Sequence, residues 1–162
     1  NEEDVWVETV WAGTLAVYTD PDIQRLCLSL QDDDGLCVPS LFCLGFAAAA
    51  GMIGAPDHAA RLIKGEAPRR KEIDQLRVGR RAARPRPCDP PERHQAYEAL
   101  KRQELAAERA LMDSLSRSFH REAAGDGCPL AVETTVLAIL APTSGTLAGR
   151  LRLLLSAITR NT

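Results

Sequence analysis

Residues 11–51, WAGTLAVYTDPDIQRLCLSLQDDDGLCVPSLFCLGFAAAAG, hold the punctuation that decides the fold. Asp20-Pro21 is a strong helix start. A carboxylate caps the first free amides, and proline at the first helical position lacks an amide that would go unbonded anyway. From 21 to 31 the residues Ile23, Leu26, Cys27 and Leu30 recur at helical spacing and form one inward stripe. Asp32-Asp33-Asp34-Gly35 ends that helix, because glycine accepts the left-handed conformation that closes a helix C-terminus. Pro39-Ser40 restarts the chain. Residues 41–50 are apolar on every side, which predicts a buried helix, and Gly51 closes it.

Working outward, residues 5–17 predict a first helix with Trp6, Val10, Trp11, Thr14 and Val17 near one face. Residues 57–64 form a short helix ending at Gly65, and 68–81 read as a basic, loosely helical segment around Ile73 and Leu76. RPRPCDPP at 84–91 is the strongest linker, since each proline removes a backbone donor and disfavours helix before it. Residues 92–120 read as the longest helix. It carries Tyr97, Leu100, Ala107, Leu111, Leu115 and Phe119 along one side, with four-apart pairs Glu98–Arg102 and Asp113–Arg117 on the other. Gly125-Asp126-Gly127 breaks it. A final pair, 130–140 and 146–158, is split by Pro142-Thr143-Ser144-Gly145, and Leu147, Leu151, Leu154 and Ile158 stripe the last helix.

No alternating strand pattern and no internal repeat occurs. The expected fold is all-α: a compact multi-helix bundle with one long helix and a C-terminal helical pair. By size, residues 1–162 make one domain. It divides into an N-terminal helical module (5–65), the basic segment with its proline-rich linker (66–91), and the long helix with the C-terminal helices (92–160). Composition agrees: aromatics are only 4% and the apolar residues are mostly Leu and Ala, which favours helices over sheets.

A net charge of -2 predicts no general affinity for nucleic acid or anionic membrane, but the charge is unevenly spread. Up to position 34 the acids Glu2, Glu3, Asp4, Glu8, Asp20, Asp22, Asp32, Asp33 and Asp34 face Arg25 alone. From 61 to 86 the balance reverses: Arg61, Lys64, Arg69, Arg70, Lys71, Arg77, Arg80, Arg81, Arg84 and Arg86 face Glu66, Glu72 and Asp74. An acidic front and a basic middle can attract each other within a chain or between chains. No apolar run approaches the roughly 20 residues a bilayer requires, so no membrane is expected. The first residues, NEEDVWVE, are acidic, unlike a secretory leader. The cysteines Cys27, Cys37, Cys43, Cys88 and Cys128 are odd in number and lack tight pairing, which predicts reduced thiols in a cytoplasm.

The chain contains no G-x-S-x-G, P-loop or G-x-G-x-x-G to fix a reaction. Asp32-Asp33-Asp34-Gly35 superficially fits a calcium loop, but Leu30 and Leu41 fall where its first aspartate and its bidentate glutamate belong. Calcium is rejected. Cys27, Cys37 and Cys43 read as small core hydrophobes rather than metal ligands. Cys88 is the thiol expected at the surface, although His94 offers it no oriented base. His58, His94 and His120 sit near helix ends, and Ser144-Gly145-Thr146 reads as a plain cap rather than an anion site. The 69–86 arginines could contact phosphates, yet no aromatics are interleaved among them to stack on bases.

The sequence resembles a family of small proteobacterial proteins known as DUF2390, a domain of unknown function. The matching residues are Trp11, LAVYTDPDIQRLCLSLQDDDGLCV at 15–38, LFCL at 41–44, and Gly51. Two later segments also look similar, LRVGRR at 76–81 and KRQELAAERALMDSL at 101–115. The resemblance implies a compact helical protein and carries no activity with it. This chain departs from the family pattern at Pro39-Ser40 and Gly45-Phe46, where an Asn and a Leu-rich run including Trp are usual. It has Pro68-Arg69-Arg70 where a Trp often precedes the basic helix.

These readings converge on a non-enzymatic interaction or adaptor protein with no cofactor, its partner being another protein or a second copy of the chain. The residues of interest are Tyr18, Gln31, Asp32 and Gly35 on the front module and Arg77, Arg80 and Arg81 on the basic segment. The alternatives are nucleic-acid binding through residues 69–86 and an enzyme with a small-molecule pocket beside Tyr18 and Gln31.

Overall fold

A computed structural model describes residues 1–123 and 132–162. Among the described residues there are eight helices and no strand: α1 (Glu2–Val17), α2 (Pro21–Asp32), α3 (Val38–Ala49), α4 (Pro56–Gly65), α5 (Ala67–Ala82), α6 (Pro91–Arg121), α7 (Val132–Leu140) and α8 (Gly145–Thr159). The fold is all-α with one long helix and two C-terminal helices, as expected. The Gly125-Asp126-Gly127 break, Cys128 and the predicted helix start at Leu130 lie outside the described residues.

The predicted caps form. Asp20 accepts a hydrogen bond from the Asp22 amide at 2.8 Å with Pro21 opening α2, and the Ser144 hydroxyl accepts one from the Leu147 amide at 3.1 Å. Gly35 sits at φ +65°, the left-handed region where an L side chain is strained. That turn lets the Leu36 amide reach back to the Leu30 carbonyl at 3.1 Å. One cap escaped the sequence reading: Asn1 accepts from the Asp4 amide, so α1 starts at Glu2 rather than at Val5, with three acids in its first turn favourable to the helix dipole.

Helix α3 is the axis of the molecule. Every residue from Val38 to Ala48 is buried, and the helix packs against α1, α2, α6, α7 and α8. Leu30, Phe42, Leu44, Leu115, Phe119, Val136, Leu154 and Ile158 are essentially closed to solvent around it. Each such fully buried large apolar side chain contributes roughly 2 kcal/mol to the stability of the fold.

Helix α5 stands apart. It contributes no side chain to that central cluster, and Ile73 is its one buried residue. The segment expected to be loosely helical is a continuous helix of 16 residues. Its support comes from α6, along which it packs, with Ile73 buried and ion pairs running between the two helices. Arg77 donates to Glu104 at 3.1 Å and to Glu108 at 3.2 Å. Arg80 donates to the other oxygen of Glu104, and Arg81 donates to Asp32 of α2 at 2.8 Å.

The charge halves of the sequence therefore meet, but with different partners from those expected. Of the acidic front, Asp32 alone meets the carrier of the basic middle, Arg81. Glu3 and Asp4 bind Arg117 and Arg121, and Glu8 binds Arg109, all on α6. Asp34 binds Arg150 of α8 at 2.8 Å. The four-apart pairs expected along α6 give way to these contacts: Arg117 turns to α1, and Glu98 pairs with Lys101. An isolated helix can only pair with itself, and packing offers its arginines better-shielded carboxylates.

Candidate functional site

Helices α1, α2 and α6 each present an apolar stripe at three- and four-residue spacing that is not fully used in the core. Trp11, Thr14 and Leu15 come from α1, with Tyr18 just beyond its end. Cys27, Leu28 and Gln31 come from α2, and Leu105, Glu108 and Met112 from α6. Val38, Pro39 and Phe42 at the start of α3 close the floor. Together they line a socket of about 160 Å³. Tyr18 meets Phe42 edge-on at 6.5 Å between ring centroids.

The rim is apolar and open. Leu15, Leu28 and Leu105 are each about half exposed, at 51%, 49% and 52%, and Tyr18 is exposed at 37%. One wall is stiffened from outside, where the Arg109 guanidinium lies 4.5 Å from the centre of the Trp11 ring while being held by Glu8 and Asp113.

Three polar groups reach the socket with bonding capacity to spare. Glu108 accepts from Arg77 through Oε1, and among the described residues its Oε2 takes no hydrogen bond. The Tyr18 hydroxyl likewise has no partner among the described residues, and Gln31 uses one amide hydrogen on Asp32 at 3.2 Å. Burial, helped by the Glu104 charge and opposed by Arg77, raises the Glu108 carboxyl above its usual range. Burial also raises the Tyr18 hydroxyl. The Cys27 thiol is pushed up to about 12 by burial, so it is protonated at neutral pH and a poor nucleophile. No histidine lines the socket. Such an arrangement offers an apolar hollow with hydrogen-bonding groups beside it.

Of the residues singled out in the sequence, two reach the socket and the other five do not line it. Tyr18 and Gln31 line it directly. Asp32 sits beside Gln31 and is tied to Arg81, whose hydrogen bond lowers its pKa. The Gly35 carbonyl accepts from Arg70 of α5, Arg77 holds the wall residue Glu108, and Arg80 completes the cluster through Glu104 and Tyr97. Arg77 and Arg80 are thus committed to carboxylates inside the fold.

Of the other candidates, Cys43 is fully buried and its thiol is also pushed up to about 12 by burial, whereas Cys88 is exposed. Asp32, Asp33 and Asp34 are engaged by Arg81, Ser29 and Arg150 in turn. Among the described residues no group of three or more His, Cys, Asp or Glu is placed to hold a metal. His58 meets Glu122 at 3.3 Å in a depression separate from the socket. No helix of the described residues is long and apolar enough to cross a membrane.

Sequence reasoning missed Leu105, Glu108 and Met112. The signal was present: these residues follow at steps of three and four along α6, the spacing that puts them on one helix face.

The chain matches no curated protein and no solved structure. The family model described as "Protein of unknown function (DUF2390)" matches residues 9–115, a range that contains every residue of the socket and stops short of α7 and α8. The chain belongs to the DUF2390 family.

Proposed function

We propose that this protein is a non-enzymatic interaction module of the bacterial cytoplasm, and that it engages a protein partner through the socket face. One observation carries the reading: Leu15, Tyr18, Leu28 and Leu105 stand exposed around a single apolar depression. Clustered exposed apolar side chains cost solubility, and they mark contact surfaces more often than chance. Free rather than bridged thiols at Cys27, Cys37 and Cys43 fit a reducing compartment.

The enzyme reading has one observation in its favour, the meeting of Tyr18, Gln31 and Glu108 at one pocket. Its weakness is the protonated thiol of Cys27 and a volume too small for most substrates. Nucleic-acid binding through residues 69–86 is weakened because Arg77, Arg80 and Arg81 already neutralise Glu104, Glu108 and Asp32. Each arginine paired internally is one fewer phosphate contact.

The test is affinity capture from the native host with the wild-type chain and with Leu28→Glu plus Leu105→Glu. Both positions are half exposed, so the double variant should fold. A stoichiometric protein held by the wild type and lost by the variant supports the proposal. Equal capture by both, or a co-purified small molecule in the socket, contradicts it.

A further inference from the structure

The socket is small and its apolar rim is wide, and that mismatch identifies the occupant. A cavity of about 150 Å³ takes a single benzene ring, so about 160 Å³ accommodates one aromatic or branched aliphatic side chain. Sites for free drug-sized ligands run to roughly 300 Å³ and above. A free molecule small enough to fit would leave Leu15, Leu28 and Leu105 wet, since these lie at the mouth. The occupant must continue beyond the socket across the rim.

The polar groups at the mouth narrow its chemistry. No Arg or Lys lines the socket itself, and Arg77 and Arg80 behind its wall are bound to Glu104 and Glu108. Among the described residues an acceptor, Glu108 Oε2, remains open, and the Tyr18 hydroxyl and the Gln31 amide on the same lining can both donate and accept. An acceptor beside a donor, flanking a one-side-chain hole, is the complement of a peptide unit next to an apolar residue.

Resting on the interaction reading above, we infer that the socket captures a linear segment of the partner protein. One bulky apolar side chain of that segment fills the hole, and the backbone N–H beside it donates to Glu108. The wide apolar rim covers the residues on either side of the anchor. Arg77 holds Glu108 through Oε1, which leaves Oε2 without a hydrogen bond among the described residues.

The probe is a random-peptide library displayed on phage and selected against the intact chain, followed by binding of synthetic peptides read through tryptophan fluorescence. Trp11 lines the socket, and the chain has only one other tryptophan, Trp6. The expected result is enrichment of peptides sharing one large apolar residue, whose replacement by alanine abolishes binding. Methylating the backbone nitrogen beside that anchor should weaken binding about tenfold, as expected for loss of a hydrogen bond to a charged acceptor. Glu108→Met should weaken the unmodified peptide by a similar factor and remove the penalty of methylation, whereas Glu108→Gln, which keeps an acceptor, should restore most of the binding. If methylation costs wild type and Glu108→Met equally, the Glu108 contact is overturned. If no peptide is enriched while the Leu28→Glu plus Leu105→Glu variant still loses the captured protein, a folded surface is recognised: the inference falls and the interaction reading stands. If that variant captures normally, both fall.

Discussion

Arg77 of α5 and Glu108 of α6 meet at 3.2 Å on the wall of the socket, and the same guanidinium reaches Glu104 at 3.1 Å. The side chains of Arg77 and Glu104 are 12% and 9% exposed, so this pair is largely withdrawn from solvent screening. Helix α5, the most basic part of the chain, thus commits Arg77 and Arg80 to carboxylates of α6.

Glu104 is the hinge of that arrangement, since it binds Arg77 with one oxygen and Arg80 with the other. Glu104→Ala strips both arginines of a shared partner, leaving Arg77 with Glu108 and Asp74 and Arg80 with Tyr97. A loss of roughly 2–3 kcal/mol is expected, below the full cost of orphaning a buried charge because these secondary partners remain. Urea denaturation checks it through the midpoint at unchanged slope. A loss below about 0.5 kcal/mol would assign the docking of α5 to Ile73 instead.

Because α5 buries only Ile73 and adds no side chain to the central cluster, it should open before α3. Hydrogen exchange followed by mass spectrometry should find residues 67–82 exchanging faster than residues 38–49 of the buried α3. Raising sodium chloride from about 0.1 to about 1 M should widen the gap, since Arg81–Asp32 is half exposed and open to screening. Equal protection of the two helices would contradict the electrostatic account.

Two helical glycines should respond differently to alanine. A methyl on Gly13 would lie 2.6 Å from Cζ of the Phe46 ring, which is stiff and buried. A methyl on Gly45 would meet Cδ1 of Ile158 at 2.7 Å, the far end of a flexible side chain. Gly13→Ala should cost roughly 1–3 kcal/mol by overpacking. Gly45→Ala should cost clearly less, because the gain of about 0.5–1 kcal/mol from replacing helical glycine offsets the smaller shift. Thermal unfolding of the two variants separates these outcomes. The reverse order would mean that the Phe46 ring moves aside more easily than Ile158.

The α1–α6 contact should weaken in acid. Hydrogen bonds from Arg121 and Arg117 hold the Glu3 carboxyl down at about 2, against an ordinary value of 4.5. A lowered folded-state pKa stabilises fully above the unfolded value, and that contribution fades as the pH falls from about 4.5 towards 2. Glu3→Gln should remove this part of the acid dependence, with stability followed by circular dichroism across that range. An unchanged acid profile would place the sensitivity elsewhere.

Much of the fold was legible because it is set locally. Asp20-Pro21, Gly35 and Ser144 act on their own neighbours, and the all-apolar run at 41–50 leaves α3 no solvent face. The ion pairs were not legible for the opposite reason. Arg117 has Asp113 one turn away on its own helix, yet it binds Glu3 and Asp4, which arrive only when α1 packs against α6. The socket was half legible. Tyr18 and Gln31 were singled out from the distinctive front stretch, while Glu108 acquires meaning only when α6 is laid beside α2. Gly45-Phe46, a departure from the family pattern, turns out to be matched by space at Gly13.

The central claim is that the socket face is where a partner binds, and methyl-resolved NMR tests it most directly. Titrating a library-selected peptide should move the methyl signals of Leu15, Leu28, Leu105 and Met112, which line the socket. The signals of Val78 and Leu153, which are more exposed but lie elsewhere, should stay still. Shifts at Val78 or Leu153 with the socket methyls unmoved would contradict the account.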